Sequence, residues 1–171
     1  MTKRLHPLLF VLVFGAMLIA VPTGLGTPPE QEDTIPGPNV VPAGVGCSFA
    51  VRRVPANAQV STTTFSNGTV QQIARATVTL TNLASGRSTV WQTANKNTRI
   101  PGVGGQETTV SVDGSFTFVI RPGELSPLAS VAGPALLGLS GHLFIAQDPT
   151  TAARTSIAFD GQAVDLCALL S

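Results

Sequence analysis

From residue 47 to the C-terminus, apolar and polar positions alternate over short runs. Phe116, Phe118 and Ile120 alternate with Ser115 and Thr117, and Ala74, Ala76, Val78 and Leu80 with Arg75, Thr77, Thr79 and Thr81. A period of two with a polar partner face is the mark of a half-buried antiparallel sheet. Runs rich in Val, Thr, Phe and Ile predict strands over 48–54, 58–65, 70–81, 88–93, 108–112, 115–120, 142–147, 155–159 and 162–166. Asn67-Gly68, Asp113-Gly114 and Asp160-Gly161 each separate two such runs. Such pairs accept positive φ at both central positions of a type I′ hairpin, and residues 82–87 form a fourth connection. The expected fold is all-β, an antiparallel β-sandwich of about eight or nine short strands, with a small closed β-barrel as the alternative. Phe49, Phe65, Phe116, Phe118, Phe144 and Phe159 fall on separate runs, and most are expected in one core. Side chains would fill that core in a sandwich, whereas a barrel leaves room for a cavity.

Two stretches break the pattern. Residues 95–106 hold Pro101, Gly102, Gly104 and Gly105 and predict a mobile loop. Residues 124–141 are apolar but interrupted by Pro127, Gly133, Pro134, Gly138 and Gly141; their 128–139 portion predicts a short helix or an ordered crossover serving as plug or lid.

The N-terminus is of another kind. Lys3, Arg4 and His6 precede an apolar run over 8–21 that Pro22 and Gly24 end. This is the form of a helical secretory signal segment, and it is short of the ~20 residues a membrane span requires. Residues 1–26 are therefore expected to be a signal peptide, with an uncleaved anchor as the alternative. A lipid anchor would need a cysteine directly after the apolar run, and the first is Cys47. Residues 27–46 carry Pro28, Pro29, Pro36, Pro38 and Pro42, with Glu30, Glu32 and Asp33 near their start, and predict an extended linker. Residues 47–171 are then a single β domain, secreted, with no membrane contact beyond the signal segment before cleavage.

Charge narrows the function. Charged residues are 11% of the 171, against about 25% in an ordinary domain. Without residues 1–26, the eight basic and nine acidic residues leave −1; from Cys47 onward, eight basic against six acidic leave +2. Neither balance suits a nucleic-acid partner, which requires a concentrated basic stripe. Arg52-Arg53, the one basic doublet of the domain, reads as a solvated strand face.

The two cysteines, Cys47 and Cys167, stand at opposite ends of the strand-rich region. In an exported chain they are expected to bridge, tying the first strand to the last. A redox or metal-binding pair is disfavoured because CxxC spacing and a neighbouring His are lacking.

His142 is the only histidine after the leader, so zinc and copper sites that need several imidazoles or thiolates are disfavoured, and no cofactor is expected. A Ser–His–Asp arrangement would have to draw on Asp113, Asp148, Asp160 or Asp165. Gly138-Leu139-Ser140-Gly141-His142 departs from G-x-S-x-G at its last position. Of the acids, Glu107, Glu124 and Asp165 are not already assigned to turns, too few for a carboxylate pair. Gly102-Val103-Gly104-Gly105 lacks the Gly or Lys of a phosphate loop. With one Trp and no Tyr, Trp91 reads as a core residue rather than a sugar platform. Asn67-Gly68-Thr69 fits a glycosylation sequon, but the hairpin explains the same residues.

Cys47-Ser48-Phe49-Ala50-Val51, Thr77-Val78-Thr79-Leu80-Thr81-Asn82 with Ser85-Gly86-Arg87-Ser88, and Val164-Asp165-Leu166-Cys167-Ala168 resemble uncharacterised exported proteins of actinobacteria over roughly residues 47–170. The resemblance implies a secreted all-β domain with a terminal cysteine pair and carries over no functional residue. The expected function is a secreted or envelope-associated, non-catalytic domain binding a partner or an apolar ligand. The alternative is a small β-barrel isomerase or hydrolase with a pocket at His142; Trp91 and Arg121 are the other pocket candidates.

Overall fold

The computed structural model describes residues 30–32, 37–104 and 106–171. The expected signal peptide, residues 1–26, lies outside them. Six long strands form one antiparallel sheet in chain order: β3 (Val51–Thr64), β4 (Val70–Asn82), β5 (Ser88–Ile100), β6 (Thr108–Ile120), β7 (Ala135–Gln147) and β8 (Arg154–Asp165). Two short strands, β1 (Glu30–Glu32) and β2 (Asn39–Val41), share the outer edge of β3: β1 pairs with Thr62–Thr64 and β2 with Val51–Arg53. Parts of the expected linker thus extend the sheet. A five-residue helix, α1 (Leu166–Leu170), ends the chain.

The sheet curls into a half-barrel. This corrects the expected sandwich, because every strand belongs to one hydrogen-bonded sheet. It also corrects the closed barrel: among the described residues β8 pairs only with β7 and leaves an edge.

The strands are 12–14 residues long, where about 5–6 is usual. The expected short runs prove to be halves of longer strands. Runs 48–54 and 58–65 merge into β3 across a bulge between Ala56 and Gln59, where Asn57 takes φ +52°. Runs 108–112 and 115–120 merge into β6, and 155–159 and 162–166 into β8. The expected loop over 95–106 is strand as far as Ile100.

The reason for the misread turns is physical. Gly114, Gly141 and Gly161 stand directly opposite one another across β6, β7 and β8 with φ of +109°, +149° and +153°. A Cβ at any of them would collide with a backbone oxygen of the neighbouring strand: Ala94 for Gly114, Asp160 for Gly141, Ser140 for Gly161. Glycine here serves close backbone approach at a bend of the sheet, not a chain reversal. Of the three dipeptides only Asn67-Gly68 lies in a turn, closed by Gly68 N–H to Phe65 O at 2.9 Å, with positive φ at Gly68 but not at Asn67.

This glycine row divides the sheet. On one side of it β5 pairs with β6, from Ala94–Ser115 to Ile100–Thr109. Beyond it the two strands part: among the described residues, 88–93 of β5 pair with β4 alone, and 116–120 of β6 with β7 alone. The parted ends form two leaflets. Val51, Val78 and Leu80 of one meet Leu136 and Val119 of the other, and Leu166 and Leu170 of α1 pack into the same cluster. Trp91 of β5 lies directly over Gly138 of β7, where a Cβ would come within 2.6 Å of the indole. A second core lies on the other face of β6 and β7, where Phe116, Ile120, Leu137, Leu139 and Leu143 are covered by Leu128 and Val131 of the β6–β7 connection.

Strand β7 feeds both cores, Leu136 one and Leu137 the other, and Ala135–Leu139 is buried throughout. An apolar run without alternation is what a strand covered on both faces looks like. That is why the helix or crossover expected over 128–139 is, from Ala135, a strand. Burying a leucine side chain contributes about 1.5–3 kcal/mol. The expectation that most phenylalanines share one core fails in part: Phe49 packs on the first cluster, Phe116, Phe118 and Phe159 on the second, while Phe65 and Phe144 are exposed.

The open end of the leaflets is closed covalently. Cys47 and Cys167 form a disulfide with Cα atoms 5.5 Å apart, consistent with an oxidising, extracytoplasmic location. Asp165 caps α1 by accepting from the Cys167 and Ala168 amides at 2.8 and 3.1 Å. The buried Asn82 side chain donates to Leu170 O at 3.0 Å and accepts from the Ala84 amide at 2.8 Å, joining the β4–β5 turn to the chain end.

Candidate functional site

Two places hold chemistry-bearing side chains. The first is a charged row beside the glycine row, where cross-strand pairing sets Lys96, Asp113, His142 and Asp160 side by side on β5–β8. His142 Nδ1 lies 2.5 Å from Asp113 Oδ1, and each side chain is about half exposed, at 52% and 54%. Among the described residues no hydroxyl is hydrogen-bonded to His142. Lys96 and Asp113 border a shallow, open depression. The pair supplies a base and its orienting acid but neither a nucleophile nor an enclosure.

The second place is a cleft of about 170 Å3 beside the point where the leaflets part. Val60, Ala74, Val78 and Phe116 give it apolar walls; Arg53, Arg75, Asn39, Asn95, Thr93 and Thr117 supply the polar groups. Alternation along β3 turns Arg52 to solvent and Arg53 inward on the face of the fully buried Val51. The Arg52-Arg53 doublet expected on a solvated face is thus split. Arg53 Nη2 donates to Thr117 Oγ1 at 2.8 Å across the gap, its only hydrogen bond to a described residue. Its Nε is buried without a protein acceptor. Burial draws the guanidinium pKa below its ordinary value, and among the described residues no carboxylate lies within ion-pair distance.

The structure does not bring the three sequence candidates together. Trp91 is packed between leaflets, with Nε1 buried and unpaired by the protein. His142 stands on the open face of the charged row. Arg121 is exposed on the β6–β7 connection, 3.1 Å from Glu124. Glu124 also lies 3.0 Å from Arg154, whose guanidinium sits 4.5 Å above the Phe118 ring and donates to Val119 O. Partial burial works to raise the Glu124 carboxyl, but the Arg121 amide and guanidinium and the charge of Arg154 outweigh it and leave it below the usual carboxylate range. This cluster pins the connection over the second core. Arg154 lies 30 residues from Glu124 in sequence, and no local motif announces their pairing.

Arg53, Asn95 and Thr117 are the cleft residues that sequence reasoning missed. The one available signal was the spacing of Arg53 two residues from Val51 within a strand. Among the described residues no group of three or more His, Cys, Asp or Glu is placed to hold a metal, and no helix is long and apolar enough to cross a membrane. Protein-family models, curated proteins and solved structures were all compared with this chain, and none matches it.

Proposed function

We propose that the chain is an exported, non-catalytic β domain that binds a ligand, or a group projecting from a partner, in the cleft at Arg53. The observation that carries this reading is the inward guanidinium of Arg53, set among apolar walls with one protein hydrogen bond and no described counter-charge. A cation held this way costs stability unless something offsets it, and polar groups kept at such a cost tend to mark functional sites. Export is supported by the basic-apolar N-terminus and the Cys47–Cys167 bridge. A second reading, a small hydrolase or isomerase, has the Asp113–His142 pair in its favour, but the pair lies open to solvent.

A thermal-shift screen of fragment-sized compounds tests the reading, with Ala74→Phe as the variant that fills the cleft. A fragment present at about 100 times its Kd stabilises the fold by about 2.7 kcal/mol. The expected result is a fragment that raises the Tm of the wild-type chain and not that of Ala74→Phe. Fragments that shift both proteins alike, or none that shifts either, would exclude the cleft as the binding site.

A further inference from the structure

We infer that the ligand of the cleft is a small organic acid, its carboxylate held by Arg53 and its short apolar tail lying along β4 and against Phe116. The inference rests on the proposed binding role of the cleft and specifies its ligand class. Three observations converge on it.

The first is charge. Arg53 and Arg75 both line the cleft, and among the described residues no Asp or Glu lines it. Arg53 lies inside, on the face of Val51, whereas Arg75 is exposed. A guanidinium carries five N–H donors, and the described protein engages one, through Thr117. The donors left over suit a planar carboxylate, which guanidinium groups bind in a two-pronged fashion.

The second is the character of the walls. Ala74, Ala76 and Val78 follow one another along the inward face of β4, and Phe116 of β6 also lines the cleft. A doubly charged group such as phosphate would meet one inward cation and these apolar side chains, which leaves its second charge poorly compensated. A monocarboxylate brings one charge and a hydrocarbon tail, matching what the cleft offers.

The third is size. About 170 Å3 is close to the ~150 Å3 of an apolar cavity that accepts benzene, and below the ~300 Å3 at which sites for drug-sized molecules begin. The cleft therefore takes a chain of a few carbons, or the last residue of a peptide. Both sources present the same carboxylate.

Calorimetric titration of the full disulfide-bonded chain tests the inference with hexanoate, hexan-1-ol, inorganic phosphate, and acetyl-Ala-Ala-Val as free acid and as amide. Hexanoate or the peptide acid is expected to bind at least about tenfold more tightly than its neutral counterpart, as hydrogen bonds to charged groups allow. Preference for hexanoate identifies a free acid, and preference for the peptide acid a chain terminus. Arg53→Met should remove the advantage of the charged form, and Arg53→Lys should restore part of it in a folded protein should the methionine variant fail to fold. Equal affinity for charged and neutral forms, or preference for phosphate, overturns the acid while leaving the cleft as a binding site. Binding of none of the five probes overturns both.

Discussion

The same strands behave differently on the two sides of the glycine row. On the parted side, β5 and β6 separate, two leaflets face each other, and Val51, Leu80, Leu136, Leu166 and Leu170 are wholly buried between them. On the joined side, β5 pairs continuously with β6; Val112, Leu143 and Ile145 are buried there on one face of the sheet, while Ile73 and Ile100 on the opposite face of β4 and β5 remain about half exposed. The parted side lacks the β5–β6 ladder yet holds its wholly buried side chains, so the ladder does not account for the burial. What differs is what covers the buried side chains: on the parted side they lie between two leaflets of the same sheet, and on the joined side on one face of the undivided sheet. A curled sheet can manufacture a second layer from itself by letting two neighbouring strands part, and the cleft opens where they begin to do so.

Removing the staple should have the largest effect. The Cys47–Cys167 bridge spans 120 residues, worth about 5 kcal/mol in the chain-entropy model. It is anchored at the parted end, so its reduction should act unevenly. Hydrogen exchange after reduction should show residues 88–93 and 166–170 losing protection before residues 97–100 and 109–112. Uniform loss would mean that the two sides are one cooperative unit.

Gly141→Val tests the bend itself. The new side chain meets the Asp160 carbonyl oxygen and must hold φ near +149°, a strain of about 1–3 kcal/mol before any packing cost. Chemical denaturation should show a loss of about 2–4 kcal/mol. Gly86→Val is the control for a valine at positive φ without the collision, because Gly86 has φ +76° but open space around it. Equal losses at the two sites would remove close strand approach as the reason for the glycine row.

The smallest expected effect is a pH dependence at the second core. Glu124 is held below the usual carboxylate range in the folded chain, so the unfolded chain binds its proton more readily. Its stabilising contribution is complete above the unfolded pKa of about 4.3 and is lost as pH falls through the folded value. Thermal melts from pH 6 to pH 3 should therefore fall less steeply for Glu124→Gln than for the wild type. Parallel curves would mean that the Arg121–Glu124–Arg154 cluster adds nothing to acid stability.

Much of the fold was legible because period-two alternation is a local property. Ala74 to Leu80 announced β4 almost to its ends, and Asn67-Gly68 announced the turn before it. Strand length was not legible, since Asp113-Gly114 and Asp160-Gly161 are the same dipeptides whether they reverse a chain or let two strands touch. Nor was β7 before His142: Ala135–Leu139 loses its alternation because both its faces are covered, and only the assembled molecule supplies both covers. For the cleft, the doublet Arg52-Arg53 was visible, but not which arginine turns inward.

Strand propensity, the covalent partnership of Cys47 with Cys167 and the scarcity of ionisable groups follow from the residues themselves, through local sterics, thiol chemistry and charge. Tertiary structure alone decided that the strands curl into one half-barrel, that three glycines align at its bend, and that Arg53 faces Thr117 across the gap. Each of these joins residues distant in sequence. Their energies come from close approach and burial, which do not exist until the sheet has formed.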